Sequence, residues 1–141
     1  MSEENKAIVS RAIEEIWNKG NSNIIGEIVS AGFVSHHPRN KDEQIYGVEA
    51  YKNRVDKIRG ACAEIKVDVL KLFAEGDQVM CHVRGEATYK GDLGKSGATG
   101  KQITATATAV IRMADGKIAE CWVIADSLGI MQQLGIVAPL G

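Results

Sequence analysis

Neither sign of charge dominates this sequence: 18 acidic residues stand against 17 basic ones. Without a net field to draw in a polyanion or an anionic lipid surface, nucleic acid and membrane are not expected as partners. Long apolar runs are missing as well, and the opening residues Ser2, Glu3, Glu4, Asn5 and Lys6 are polar, so neither a signal peptide nor a membrane span is expected. Cysteine is sparse. Cys62, Cys81 and Cys121 are odd in number and widely spaced, which suits buried thiols in a reducing compartment better than a disulfide frame, and a cytoplasmic protein is expected. The ligand spacings His-x-x-x-His and Cys-x-x-Cys are absent, so no metal is expected. The glycine-rich stretch from Gly91 to Lys101 lacks the spacing of a phosphate-binding loop and has no helix after it, and it reads as a flexible hairpin connection with a lid-like position. No repeat, low-complexity tract or linker divides the chain, so residues 1–141 form a single domain, a length that buries roughly 68–70% of its unfolded surface.

What is present is a segregated order of helices and then strands. Val9, Ile13, Ile16 and Trp17 recur at helical spacing between Glu3 and Lys19, with Gly20 at the stop. Ile24, Ile25, Ile28 and Val29 predict a short second helix, capped by Ser22 and ended by Gly32. Phe33 and Val34 begin an extended piece that runs into Ser35-His36-His37-Pro38, because the residue before proline is pushed out of helical geometry, and a polar loop follows to about Gln44. Gly47 to Gly60 predicts a third helix with Val48, Tyr51, Val55 and Ile58 on one stripe. Beyond it the pattern is β. The alternation Ile65, Val67, Val69 shifts phase to Leu70, Leu72 and Phe73, the mark of a β-bulge. Strands are expected over Gln78 to Tyr89 and Ile103 to Met113. An Asp115-Gly116 hairpin then delivers the last strand, followed by a short closing helix around Met131 and Leu134. Helices followed by an antiparallel meander give an α+β class, and a curved sheet wrapped around a helix encloses a pocket. Along Ile103 to Met113, Thr104, Thr106 and Thr108 share one face and Ala105, Ala107 and Ala109 the other; one face is expected to line a cavity and the other to pack against a second copy of the chain.

The chemistry-bearing groups cluster late in the chain. Glu120, Trp122, Ile124 and Asp126 point to one side of the last strand. A carboxylate at a strand end beside an aromatic either caps the next helix or faces a cavity as a general base, and both roles fit Asp126. His36 and His37 face opposite ways in their extended segment, so at most one enters a pocket, where an imidazole can donate a proton or polarise a carbonyl. His82, mid-strand beside Met80 and Arg84, is an alternative pocket histidine. Arg84 and Glu86 read as a structural ion pair, while Trp17 and Trp122 read as core or as pocket wall.

The run DGKIAECWVIADSLGIMQQLG at residues 115–135 resembles the SnoaL-like polyketide cyclases of the NTF2-like superfamily, as do AIVSRAIEEIWNKGNSNIIGEIVSAGFVSHHP at 7–38 and ATGKQITATATAVIRMADGK at 98–117. Its most specific part is Trp122, Asp126, Leu128, Gly129, Gln133, Leu134 and Gly135. The resemblance implies an NTF2-like (cystatin-like) cone-shaped barrel, with N-terminal helices packed on a curved antiparallel sheet. It implies a cofactor-free enzyme of lyase or isomerase type. Asp126 would move a proton next to a carbonyl of a small hydrophobic, polyketide-like molecule, and the enolate would close a ring by intramolecular aldol attack or isomerise. His36 would position or polarise the substrate at the pocket mouth. Trp122, His82, Trp17, Tyr51, Ile124 and Thr106 are the expected pocket residues, and a homodimer is the expected assembly. The chain departs from many relatives at Tyr89, near which they place a histidine. A noncatalytic dimeric module that binds a small molecule stays open beside the enzyme, while an epoxide hydrolase would need two aspartates bridged by an arginine, of which Arg84 and Asp126 supply a part.

Overall fold

A computed structural model describes residues 2–37, 44–91 and 100–138. The chain order is α1 (Ser2–Ala12), a π-helical turn (Ile13–Asn18), a single turn of tighter helix (Ser22–Ile24) leading into α2 (Ile25–Ile28), β1 (Val29–His36), β2 (Ile45–Tyr46), α3 (Gly47–Ala61), β3 (Cys62–Glu75), β4 (Gln78–Tyr89), β5 (Lys101–Ala114), β6 (Lys117–Ala125) and α4 (Ser127–Gln133). The six strands form one curved, unclosed sheet in the order β2-β1-β6-β5-β4-β3. The β3 to β6 meander is antiparallel, as the turn signals require. β1, in contrast, lies parallel to β6, a pairing of two strands far apart in sequence that no local signal announces. The hairpin between β5 and β6 turns at Asp115 and Gly116, which have φ of +51° and +75°; glycine adopts this left-handed geometry without steric cost.

Three expectations are corrected. The helix expected from Glu3 to Lys19 is two segments, because the chain widens into the π-helical turn at Ile13. Ser22 makes no side-chain cap, since the tight turn begins at Ser22 itself with Asn21 before it. The second helix ends at Ile28, not at Gly32: Val29 is already extended, with φ −105° and ψ 136°, and as a buried β-branched residue it starts the strand in which Gly32 sits. The β-bulge in β3 is found where the phase shift put it, between Val69 and Lys71. The polar loop before Gln44 and the lid-like stretch of the glycine-rich loop fall largely outside the described residues.

One face of the sheet is covered by helices and the other is open. Val9, Ile16, Ile25, Ile28, Phe33, Val55, Val79, Cys81, Ile111, Met113, Ile118 and Cys121 form the main core between α1, α2, α3 and the sheet. A second cluster, Ala61, Cys62, Tyr89 and Leu134, sits where α4 folds back over the other end of the same face. All three cysteines are buried thiols. Two exposed strand edges are covered by side-chain amides rather than by strands. Asn18 donates to the Val67 carbonyl at 3.1 Å and accepts the Val67 N–H at 2.6 Å, on the outermost strand. Gln133 donates to the Thr104 carbonyl at 2.7 Å and accepts its N–H at 2.9 Å, where β5 outruns the last rung of β6 at Ala107 and Ala125. Each amide imitates one residue of a missing neighbour and blunts an edge open to foreign strands. Among the described residues no helix is long and apolar enough to cross a membrane.

Candidate active site

The helix-covered face is packed at both ends and thin in the middle. Between the two core clusters it carries Gly85, Ala87, Ala105, Ala107 and Ala109, a glycine and four alanines that are half-buried rather than buried. The alanines of β5 thus turn inward and the threonines outward, which decides the question the alternation left open. Val67 and Val69 of β3 are the lateral neighbours of Gly85 and Val83 on this face, and these in turn of Ala105 and Ala107. The same two valines help to line a groove of about 570 Å³ between β3 and the π-helical turn, along with Ser10, Ile13, Glu14 and Asn18. The groove thus lies at the β3 edge of the helix-covered face.

Polar groups converge on the main-core side of the patch. Trp17 and Tyr51 are both on the helix-covered side, packed against the main core. The Tyr51 ring lies 5.0 Å from that of Phe33, and burial, with Cys121 nearby, pushes its phenol above the ordinary range against the lowering effect of a hydrogen bond from Trp17. Ser35 is buried at 1% exposure. Its hydroxyl sits 2.9 Å from His37 Nε2 and 3.2 Å from the Cys121 thiol, which donates to it. Burial first, against the bond to Ser35, pushes the Cys121 thiol up to about 11, so it keeps its proton at neutral pH. Of the two adjacent histidines, His37 is thus the one on the inner side. Ser35 meets Cys121 because the parallel β1–β6 ladder sets the two opposite one another, and no sequence signal near residue 35 points to that contact.

Asp126 follows Ala125, the partner of Ala107, at the rim of the patch. It is exposed, and its Oδ1 accepts the Gly129 N–H at 2.9 Å as the N-cap of α4. A side chain at Gly129 would overlap the Asp126 carboxylate, so glycine there is what lets the carboxylate lie over the first turn. The remaining residues singled out from sequence are brought together elsewhere, on the open face. Trp122, Ile124 and Thr106 are exposed there. His36 stacks on Trp122 with ring centroids 5.3 Å apart and meets Glu120 at 2.6 Å, while Arg112 holds the other Glu120 oxygen at 3.1 Å. The hydrogen bond from His36, offset by desolvation and aided by Arg112, holds the Glu120 carboxyl below its usual range. His82 Nδ1 lies 2.8 Å from Thr108 Oγ1, and Arg84 and Glu86 form their ion pair at 3.2 Å. Among the described residues no group of three or more His, Cys, Asp or Glu side chains is placed to hold a metal ion.

Tyr89 is 1% exposed and its hydroxyl has no hydrogen-bond partner among the described residues, beneath α4 among Leu134, Ile130 and Ile103. A buried hydroxyl left unpaired costs about 1–3 kcal/mol. Tyr89→Phe is therefore expected to stabilise the fold by about 1 kcal/mol or more in denaturant titration, and a loss of stability would mean that the hydroxyl is satisfied in solution.

The comparisons with known proteins agree with this architecture. The sequence matches the SnoaL-like polyketide cyclase family over residues 7–134. A search of the curated proteins finds no match. Among solved structures, the chain is similar to a proposed polyketide cyclase from Acidithiobacillus ferrooxidans, at 31% identity over 96% of both chains and a TM-score of 0.82. It is also similar in fold to a proposed SnoaL-like polyketide cyclase from Jannaschia, at 23% identity over 99% of this chain and 96% of that one, TM-score 0.86. A protein of ketosteroid isomerase-like fold from Catenulispora acidiphila matches at 17% identity over 95% and 96%, TM-score 0.76. The helix-covered curved sheet is the NTF2 and ketosteroid isomerase-like fold, and the chain belongs to the SnoaL-like polyketide cyclase family.

Proposed function

We propose that the protein is a cofactor-independent enzyme that removes a proton next to a carbonyl in a small hydrophobic, polyketide-like molecule, with ring closure by intramolecular aldol attack or isomerisation as the outcome. The observation that carries this reading is the patch of Gly85, Ala87, Ala105 and Ala107, an apolar surface of small, half-buried residues on the helix-covered face, which has a carboxylate at its rim and hydrogen-bonding groups on its other side. Asp126 is the proton acceptor. Its bond to Gly129 fixes the carboxylate in place, and a positioned carboxylate is a competent general base. The histidine that polarises the carbonyl is His37, which shares the inner side with Ser35, whereas His36 lies on the open face with Glu120 and Trp122. Apolar walls exclude water and strengthen each hydrogen bond to the developing enolate. Holding nucleophile and electrophile of one molecule together removes much of the entropic barrier. The test is deuterium exchange at the α-carbon of benzoylacetone, a small aryl diketone, followed by proton NMR. Exchange faster with protein than in buffer supports the enzyme, whereas binding without acceleration supports a noncatalytic carrier.

The open face is the proposed homodimer surface. Phe73, Met80, Val110 and Trp122 lie side by side across four strands, with Phe73 57%, Trp122 41% and Ile124 65% exposed. A continuous apolar row of this kind needs cover, and a second copy related by a two-fold axis offers the same row in return. Sedimentation at micromolar concentration is expected to give a dimer for the wild type and a monomer for Trp122→Glu with Ile124→Lys. A monomeric wild type removes the proposal.

A further inference from the structure

Gly85, Ala87 and Tyr89 alternate along the inner face of β4, so the small-residue patch runs, at the end away from the main core, into a phenol. The Tyr89 hydroxyl is buried and has no hydrogen-bond partner among the described residues. Its ring is packed by Ala61, Cys62 and Leu134. A phenylalanine would fill the same apolar space and leave no donor unpaired, so packing alone does not ask for a tyrosine. What covers the hydroxyl is α4, and α4 is lightly held. No side chain of Ser127–Gln133 is fully buried, although Leu134 just past them is. The near end is tied to β5 through the backbone, Asp126 N–H donating to the Thr106 carbonyl at 3.1 Å. The far end is tied to β5 by one exposed side chain, the Gln133 amide on the Thr104 backbone. A helix of seven residues is not stable by itself, and elements with few buried contacts open first.

We propose that Tyr89 is a substrate-binding residue and α4 the gate over it: the helix lifts at its Gln133 end, and the phenol it uncovers donates a hydrogen bond to a carbonyl oxygen of the molecule on the patch. This rests on the proposed function for the class of that molecule. The gate turns about Asp126, whose backbone bond to Thr106 stays in place, so the carboxylate keeps its position at the rim while the donor beyond it opens. Tyr89 stands at the opposite end of the patch from the main core, and it therefore meets a different carbonyl from the one on the His37 side. A phenolic donor on an oxygen that gathers charge as the proton leaves binds more tightly as the reaction proceeds. With α4 closed the hydroxyl is unpaired; with the ligand seated, the carbonyl oxygen satisfies it. The fold thus carries a group that lowers its stability when empty, as binding sites commonly do.

The experiment compares benzoylacetone binding by the wild type, Tyr89→Phe and Gln133→Ala, with affinity from calorimetry and association rate from stopped flow. Tyr89→Phe is expected to bind roughly five- to tenfold more weakly, the effect of losing one hydrogen bond to the ligand, while resisting denaturant at least as well as the wild type. A purely structural tyrosine would move stability and leave affinity alone. Gln133→Ala, which frees the far end of α4, is expected to associate several-fold faster. In protein labelled with fluorotyrosine, the Tyr89 fluorine signal, assigned by its loss in Tyr89→Phe, should shift when benzoylacetone is added. Equal affinity in the wild type and Tyr89→Phe overturns the binding role, and an association rate unchanged in Gln133→Ala overturns the gate. The enzyme reading fails separately: binding that weakens in Tyr89→Phe, without α-carbon exchange in the wild type, removes the enzyme and leaves Tyr89 in the ligand site. Exchange and affinity alike in both proteins leave the enzyme and remove Tyr89.

Discussion

Asp126→Asn is expected to lower the rate of benzoylacetone exchange by roughly 100- to 10,000-fold, the usual contribution of a general base, while leaving the unfolding free energy close to that of the wild type. The two readouts separate because asparagine caps a helix about as well as aspartate does. Its side-chain oxygen can accept the Gly129 N–H that Asp126 accepts at 2.9 Å, yet it cannot take a proton. Asp126→Ala removes both functions and should cost about 1 kcal/mol of stability in addition. Exchange at the wild-type rate in Asp126→Asn would reduce the carboxylate to a cap, and the base would have to be sought elsewhere. The cap and the base are not rivals here. A carboxylate tied down by one N–H at the start of α4 keeps its second oxygen for chemistry and loses less entropy when substrate arrives.

Ala107→Phe is the second variant with a large expected effect. Ala107 lies at the centre of the small-residue patch, flanked by Val83 on one strand and Ala125 on the other. Where a core is filled, adding this much volume costs typically 1–3 kcal/mol. Where the space is a substrate site, the new ring occupies it at little cost to the fold and excludes the ligand. The expected result is an unfolding free energy within about 0.5 kcal/mol of the wild type, together with at least a tenfold loss of benzoylacetone affinity, about 1.4 kcal/mol. A strongly destabilised variant would mean that the interior is packed, and the site would then have to be the groove beside β3 alone.

Much of the fold was legible from local signals. The Asp115-Gly116 turn, the strands on either side of it, the bulge after Val69 and the third helix are written in short-range patterns: turn chemistry, alternation and helical periodicity act over a few residues and are little altered by context. The shared face of Glu120, Trp122 and Ile124 follows from the same alternation, and so does the opposition of His36 and His37; Asp126 leaves that alternation because β6 ends at Ala125 and Asp126 caps α4. The misread second helix was a tertiary matter, since Val29 leaves the helix to pair with Ile118 of β6.

Alternation separates two faces, and nothing in it says which one the helices cover. That was decided by where α1, α2 and α3 pack: the alanines of β5 became the inner lining, His37 turned inward, and Trp122 with Ile124 and Thr106 came to the open face. Nor is any residue near Ser35 a sign that Cys121, 86 positions later, stands beside it; the parallel β1–β6 ladder makes that contact, and parallel strands are joined by long connections that leave no local mark. The sequence by itself determined the α+β class, the succession of helices and then the β3 to β6 meander, and the residue types on each face of those strands, because these rest on backbone propensity and side-chain period. Only the tertiary structure decided which face encloses a site and which side chains meet there, because burial is a property of the assembled layers and not of any strand alone.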